Sequence, residues 1–327
     1  MIVTVVSMPE ATVTRADVAE ARERLATERF LLVDIELPGE GPEAGSVTGS
    51  VAEELGLEAE GLDWFGRVDE PPRAEYLGDR AGLVVPVVQG ERIALVHVLV
   101  TERFLATVHR GQAGLAMPMT RALTHERPSD AVAVLFLMLG EALGSFRRAA
   151  VQALLETEEL EDDMFEERLP EQVRELARLR RRSALLHHFL RPFLELTDEM
   201  LTRRMMSPTF PEQRQRLARE FQTSGRLVLA DLESLQEATR RAFGSYSSLV
   251  AGEQNGVINR LAIVSVVFLP LSFLTGFFGM NFTFLTDKLE SRDEFWLFAI
   301  GLQLLVLLLS LYVLHRTRIW RRLREGD

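Results

Sequence analysis

An uncharged apolar run near the carboxyl end constrains this chain of 327 residues more than any other feature. It covers 261–278, eighteen residues without a charged side chain, and leads into Gly279-Met280-Asn281. Because a helix rises about 1.5 Å per residue, this run and its flanks can cross a hydrocarbon core of about 30 Å. The sequence therefore predicts a first membrane span over 257–281.

A second uncharged run, 295–314, follows after a link of only thirteen residues, 282–294. So short a link allows only a helical hairpin, which places both ends of the chain on one side of the bilayer. The tail, 315–327, holds five arginines, whereas the link is net acidic. By the positive-inside rule we expect a multi-pass protein of the inner (plasma) membrane with both termini in the cytoplasm.

The first predicted span carries a stripe that a simple lipid anchor would not need. Steps of three and four residues follow one face of a helix. Here they connect Asn255, Ile258, Leu261, Ser265, Leu269, Ser272, Gly276 and Gly279. Because a polar group in hydrocarbon costs free energy unless it has a partner, this stripe is predicted to contact other helices or water. The second run, with Gln303 and Ser310 as its polar breaks, is predicted to face lipid.

The residues before the spans predict an α+β protein whose amino-terminal part, 1–128, is a cytoplasmic α/β domain. Strand-length runs rich in Val, Ile, Leu and Phe occupy 2–6, 30–37, 83–88, 93–100 and 104–109. Helices are predicted at 17–25 and 51–57. Residues 101–103 are short enough for a hairpin turn between the last two strands.

Long helices are predicted to follow the α/β domain. Ser129 is a suitable N-cap for a helix that runs toward Glu167 and ends in a dense acidic run. Pro170 separates it from a return helix, which gives a helical region with an acidic hairpin over 129–211. A stalk helix, 212–256, then continues into the first span. Its apolar residues recur every three, four or seven positions, and this stripe predicts self-association, since a lone helix has nothing to bury it against.

Composition excludes several classes of protein. The chain has no cysteine, which removes disulfides and thiolate metal sites, and its six histidines never pair at i, i+4. The net charge of −11 argues against nucleic-acid partners and suits a surface that gathers cations. The sequence shows no Gly-rich phosphate loop, nucleophile elbow or partnered carboxylate pair. We therefore expect no enzyme activity and no catalytic cofactor.

The two spans and their flanks resemble the CorA family of divalent-cation channels. The resemblance rests on the Gly-Met-Asn tripeptide at the outer end of the penultimate span, together with Phe282, Pro270-Leu271, Asn255 and Trp320. It implies a pentameric funnel built from five copies of this chain in a lipid bilayer. The first span of each copy would line a central pore for Mg²⁺, with Co²⁺ and Ni²⁺ as further substrates.

The resemblance also implies roles for single residues. Gly279, Met280 and Asn281 would form the selectivity filter, and the rest of the stripe would line the pore. In the family, Mg²⁺ bound by cytoplasmic acidic residues between neighbouring subunits holds the ring closed. Counting back from Asn281 without gaps places such an acid at Glu220, with Asp231 as a neighbouring candidate.

The loop after the tripeptide departs from the pattern that many magnesium-transporting members carry. Residues 285–289 read LTDKL in place of Met-Pro-Glu-Leu, so Asp287, with Glu290, would attract cations there. This departure leaves cation preference open. The first alternative is a Zn²⁺ transporter of the ZntB-like branch, which could be proton-coupled. The second is a membrane-anchored structural or signalling protein whose hairpin only tethers it.

Overall fold

The computed structural model describes residues 1–8, 10–28, 30–38, 55, 70–77, 80–111, 116–205, 210–280, 293 and 295–316. The chain divides into two compact units, Met1–Phe243 and Gly244–Asp327. The first unit holds the sheet and most of the helices. The second holds the two apolar helical segments.

Seven described strands form one sheet in the first unit. They are β1 Ile2–Ser7, β2 Thr12–Ala16, β3 Leu31–Leu37, β4 Arg73–Leu77, β5 Arg80–Gln89, β6 Arg92–Val100 and β7 Phe104–Arg110. Their order across the sheet is β2-β1-β3-β7-β6-β5-β4. Only the β3–β7 pair is parallel among them.

The five strands predicted from apolar runs are all present, but two strands were missed. β2 and β4 lie at the two edges of the described sheet and read TVTRA and RAEYL. Edge strands are short and polar in many proteins, so they lack the apolar signal that marks central strands. The helix predicted at 51–57 lies outside the described residues except for Leu55, which is buried.

The predicted hairpin turn at 101–103 is confirmed by the antiparallel pairing of β6 with β7. The Thr101 hydroxyl oxygen accepts hydrogen bonds from the backbone N–H groups of Arg103, at 3.1 Å, and Phe104, at 3.0 Å. Thr101 N–H also donates to the Phe104 carbonyl at 2.9 Å. A short-range side-chain bond of this kind lets a threonine stabilise a turn.

The described helical elements follow one another along the chain. They are α1 Val18–Thr27, α2 Ala116–Glu126, α3 Ala131–Glu166, α4 Pro170–Met205, α5 Glu212–Phe278, a π-helical segment Phe295–Gly301, and α6 Leu302–Arg316. α2 was not predicted, whereas α4 is the return helix predicted after the acidic run. Pro170 begins α4, a position where the missing N–H of proline costs no helical hydrogen bond.

The prediction that Ser129 caps α3 is wrong by one residue. Asp130 is the N-cap, and its Oδ1 accepts a hydrogen bond from Ala133 N–H at 2.8 Å. The Ser129 hydroxyl instead donates to Asp130 Oδ2 at 3.1 Å. An ionised carboxylate is the stronger acceptor and is also favoured by the helix dipole, which explains the preference.

Apolar residues cover both faces of the sheet. In β5, Leu83 and Val85 belong to the larger cluster, which also includes Phe146 of α3. Val84, between them, belongs to the smaller cluster with Ala21 of α1. Neighbouring residues of a strand point to opposite faces, so two buried faces produce the continuous apolar runs seen in the sequence.

The stripe on the stalk part of α5 is buried within one chain, which corrects the argument for self-association. Its buried residues are Arg214, Leu217, Ala218, Phe221, Gly225, Val228, Leu232, Leu235, Ala238, Thr239 and Ala242. Several of them join the larger cluster with residues of α3 and α4. Phe221 packs edge-on against Phe193 with ring centroids 6.1 Å apart. α3 and α4 therefore cover this stripe, a tertiary contact that the helical period alone does not reveal.

Arg214 ties α5 to the start of α3 and to the β6–β7 turn. Its side chain is only 10% exposed. Nε lies 3.0 Å from Asp130 Oδ2, and the guanidinium also binds both carboxylate oxygens of Glu102. Burial lowers the pKa of Arg214, but the two carboxylates outweigh it and raise that pKa above its usual value. The buried charge is thereby compensated.

We predict that Arg214→Met destabilises the fold by about 2 kcal/mol, because hydrogen bonds to charged partners are lost in a mostly buried site. Thermal unfolding of the full chain in detergent will show this as a lower melting temperature. Arg216→Met is the matched control: Arg216 is half exposed and pairs with Glu126 at 2.6 Å. Solvent screens a pair of this kind, so it contributes little to stability. Equal losses in the two variants would contradict the prediction.

His109 forms a buried polar cluster with Asp34 and Thr107 on the parallel pair β3 and β7. Its Nδ1 lies 2.8 Å from the Gly111 carbonyl oxygen, and its Nε2 lies 3.3 Å from Asp34 Oδ1, close enough for an ion pair although not aligned as a hydrogen bond. Thr107 donates its hydroxyl proton to Asp34. Burial lowers the pKa of His109, but Asp34, the Gly111 carbonyl and Glu36 together raise it above its ordinary value of 6.5.

We predict that this cluster makes stability depend on pH. A histidine pKa that rises on folding contributes stability that is fully present below about pH 6.5 and is lost as the pH rises through the pKa of the folded state. The melting-temperature difference between wild type and Asp34→Asn should therefore be larger at pH 6 than at pH 8.5. His109→Gln should reduce the same pH dependence. Parallel curves for wild type and both variants would refute the assignment.

Candidate functional site

Two described helices of the second unit are long and apolar enough to cross a membrane. α5 contains an 18-residue window with mean hydropathy 2.3, none of which is buried. Trp296–Arg316 contains a window with mean hydropathy 2.5. Exposed apolar surface of this extent requires a cover, either lipid or another protein surface.

The stripe predicted along the first span lies on an exposed side of α5. Asn255, Ser272 and Gly276 are exposed, as are the apolar members Ile258, Leu261 and Leu269, whereas Ser265 is half-buried. At about 100° per residue, the half-buried apolar residues lie on roughly the opposite side of the helix. These residues are Ile263, Val267, Leu271, Leu274 and Phe278.

Two hydroxyl groups of this segment bond within their own helix. Ser265 Oγ donates to the Leu261 carbonyl at 2.8 Å, and Thr275 Oγ1 donates to the Leu271 carbonyl at 2.8 Å. Such bonds satisfy the hydroxyl proton without a partner helix. The oxygen lone pairs remain free to accept a hydrogen bond from water, a hydrated ion or another side chain.

The carboxyl end of the first span is described up to Met280. α5 ends at Phe278, after which Gly279 N–H donates to the Thr275 carbonyl at 3.0 Å and Met280 N–H to the Phe277 carbonyl at 3.3 Å. A Cβ at Gly279 would lie 3.1 Å from the Thr275 carbonyl oxygen, so this position has little room for a larger residue.

Three predicted site residues, Asn281, Asp287 and Glu290, lie outside the described residues, and their roles stay predictions. The sequence continues directly from Met280 into Asn281, so the asparagine follows the last described residue of the first span.

The two candidate regulatory acids lie apart on the stalk part of α5. Glu220 is exposed, with Arg216 at 3.6 Å, and Asp231 is half-buried, with Arg147 of α3 at 3.5 Å. Within the described part of the chain, no group of three or more His, Cys, Asp or Glu side chains is placed to hold a metal ion. A metal site at Glu220 or Asp231 would need ligands from elsewhere, and the role stays a prediction.

The second span does not face lipid at every polar break, which corrects the sequence interpretation. Gln303 Nε2 donates to Thr275 Oγ1 of the first span at 3.3 Å, and Ser310 is buried. Thr275 was not singled out from the sequence, because it lies beside the stripe rather than in it. Its position four residues before Gly279, one helical turn away, is the sequence signal that could have pointed to it.

The chain is similar to curated zinc transport proteins. It is 28% identical to the zinc transport protein ZntB of Yersinia enterocolitica over 157 residues, which are 48% of this chain and 47% of that protein. The chain therefore spans about half the length of this relative.

The fold is similar to solved structures along almost the whole chain. The CorA magnesium transporter of Methanocaldococcus jannaschii superposes with a TM-score of 0.75 at 18% identity, covering 96% of this chain and 97% of that one. A full-length CmaX protein superposes with a TM-score of 0.72 at 19% identity, covering 99% and 97%. At these identities the likeness establishes the fold.

The family comparison covers both the helical region and the two spans. The family model described as "CorA-like Mg2+ transporter protein" matches residues 44–316, well over half of the chain. This match agrees with the two apolar helices and with the Gly-Met-Asn tripeptide that follows the first of them. The chain belongs to the family of CorA-like Mg²⁺ transporter proteins.

Proposed function

We propose that this protein is a homopentameric channel that carries divalent cations, Mg²⁺ with Co²⁺ and Ni²⁺ as further substrates, across the inner membrane. The observation that carries the proposal is the exposed stripe on the first span, which mixes polar, small and apolar residues and leads into Gly279-Met280-Asn281. Family membership and the fold support it.

Exposed polar groups on a membrane helix favour an arrangement of several copies around water. Asn255 and Ser272 lie on the exposed side of α5, where lipid would leave their hydrogen-bonding groups without partners. Ring closure around an axis removes this cost, because the stripes of all copies then face a shared aqueous path. The half-buried apolar side would then contact the second span and lipid.

A filter at Asn281 would suit a hydrated ion. Mg²⁺ gives up its water ligands reluctantly, so a pore can select it through hydrogen bonds to those waters. A ring of asparagine side chains offers carbonyl oxygens without a fixed charge, which holds the ion weakly enough for it to leave. Backbone carbonyls around Gly279 would add further acceptors. Asp287 and Glu290 would concentrate cations at the extracytoplasmic mouth.

The remaining members of the stripe divide into polar and apolar levels. Ser265 and Ser272 would supply hydroxyl oxygens along the path, and Asn255 an inner polar ring. The exposed side chains of Leu261 and Leu269, at 66% and 68% exposure, would form apolar constrictions together with Ile258. Narrow apolar rings can stop conduction by losing their water, which gives the channel a closed state.

We predict that Asn281→Ala abolishes Mg²⁺ uptake into liposomes while the oligomer is retained, because the filter loses its side-chain carbonyl. Uptake is measured with a magnesium-sensitive dye under an inward-negative potential, and assembly by size-exclusion chromatography in detergent. Ser310→Ala, in the second span, is the control and should conduct.

The outcomes separate the channel from the anchor interpretation. Voltage-driven uptake that disappears in Asn281→Ala supports the channel. Full flux in Asn281→Ala refutes the filter assignment. Absence of flux in the wild type refutes the channel as a whole and leaves a membrane-anchored structural or signalling role.

A Zn²⁺ transporter is the second candidate function, favoured by the similarity to a zinc transport protein and by the LTDKL loop at 285–289. The same liposomes, loaded with a zinc-sensitive dye, distinguish the two. Zn²⁺ entry that increases with an imposed proton gradient would assign the chain to a proton-coupled zinc branch. Voltage-driven Mg²⁺ entry without proton dependence would assign it to the magnesium channels.

We predict that Mg²⁺ also regulates the channel through Glu220 and Asp231, because each is a carboxylate on the stalk part of α5 with an arginine within 4 Å that a cation could displace. Combining Glu220→Gln with Asp231→Asn should raise the Mg²⁺ concentration for half inhibition, applied on the cytoplasmic side, by about tenfold, which corresponds to about 1.4 kcal/mol. Glu237→Gln, an exposed acid on the same helix, is the control. Unchanged inhibition in the double variant would contradict the prediction.

A further inference from the structure

A hydrogen bond joins the first span to the second near the Gly-Met-Asn end. Gln303 Nε2 lies 3.3 Å from Thr275 Oγ1, and Thr275 Oγ1 lies 2.8 Å from the Leu271 carbonyl oxygen. A hydroxyl group has a single proton, and here that proton goes to the Leu271 carbonyl. Thr275 must therefore accept from Gln303, which fixes the orientation of the amide group.

Thr275 also accepts the last α-helical (i, i+4) hydrogen bond of the first span. Its backbone carbonyl accepts from Gly279 N–H at 3.0 Å, and the Cβ position of Gly279 would lie 3.1 Å from the same carbonyl oxygen. One residue thus contacts the second span through its side chain and the start of the tripeptide through its backbone. A displacement of Thr275 would therefore also displace Gly279.

The position of Gln303 depends on the irregular start of the second span. The π-helical segment Phe295–Gly301 ends two residues before it. A π turn holds about one more residue than an α turn, so the residues after the segment are offset by about 100° around the helix from the positions that a regular α-helix would give them relative to the residues before it. An amide group in an apolar helix costs free energy unless it is paired, so this bond holds the two spans in one register.

We infer that Gln303 is a positioning residue for the ion filter. It holds Thr275, and through the Thr275 carbonyl it sets the height and rotation of Gly279, which leads into Met280 and Asn281. Gln303 itself does not touch the ion. The inference rests on the proposed channel function, and it assigns to the second span a part in selectivity that lies beyond lipid contact.

The experiment compares five variants with wild type in the liposome flux assay. Gln303→Leu removes the donor, Thr275→Val removes the acceptor while keeping the branched shape, and a third variant combines both. Thr275→Ser keeps the hydroxyl and serves as the conservative rescue. Ser310→Ala removes a different polar group of the second span and is the matched control. Each variant is assayed over a range of Mg²⁺ and Zn²⁺ concentrations.

We expect Gln303→Leu and Thr275→Val each to change the half-saturating Mg²⁺ concentration and the Mg²⁺ to Zn²⁺ flux ratio by about threefold to tenfold, the range expected for one interhelical hydrogen bond. The double variant should be no worse than the single ones, because both remove the same interaction. Thr275→Ser and Ser310→Ala should behave as wild type. A loss of maximal flux alone, with unchanged half-saturation and flux ratio, would indicate a merely structural role and overturn the inference.

Thermal unfolding of the same variants in detergent tests the bond independently of transport. Melting-temperature losses that are not additive in the double variant support the contact, and additive losses overturn it. If the wild type conducts and Asn281→Ala does not, while Gln303→Leu matches wild type in half-saturation and flux ratio, this inference fails and the channel stands. If the wild type carries no ion, both fail, whatever the melting temperatures show.

Discussion

Polar groups in hydrocarbon need hydrogen-bond partners inside the protein, and the packing of the two membrane spans depends on that constraint. Ser265 and Thr275 meet it by donating to carbonyls of their own helix, and Gln303 meets it by donating across to Thr275. Asn255 and Ser272 remain on the exposed side of α5. The first span therefore has some polar groups that are hydrogen-bonded within one chain and others that remain exposed on its surface.

α5 is buried against other helices along its first part and not along its second part. Up to Ala242 its apolar stripe is buried by α3 and α4, and Arg214 compensates its buried charge with Asp130 and Glu102. Beyond that point no residue of the helix is fully buried, and from Leu261 onward it is apolar on most sides. α4 and α5 also pack closely at Gly225: a Cβ there would lie 2.6 Å from a Leu194 methyl carbon, so an alanine at this position would require the Leu194 side chain to shift.

The sequence predicted much of this architecture because its signals are strong and local. Uncharged runs of eighteen and twenty residues predict the two spans, and apolar runs predict the five central strands. The missed strands β2 and β4 are short edge strands with polar residues, and α2 has no such run. The cap of α3 lies at Asp130 rather than Ser129 because a carboxylate competes better than a hydroxyl for the free N–H groups of the first turn.

The sequence by itself determined the family, the spans and the stripe, since hydropathy, helical period and the Gly-Met-Asn tripeptide are properties of neighbouring residues. Only the tertiary structure decided what covers each surface. The stalk stripe looked free for self-association and is buried within one chain. From the sequence, Gln303 was an isolated polar residue in a helix predicted to face lipid. In the structure, it donates a hydrogen bond to Thr275. Contacts between distant segments depend on how whole helices pack against each other, and no local pattern records that packing.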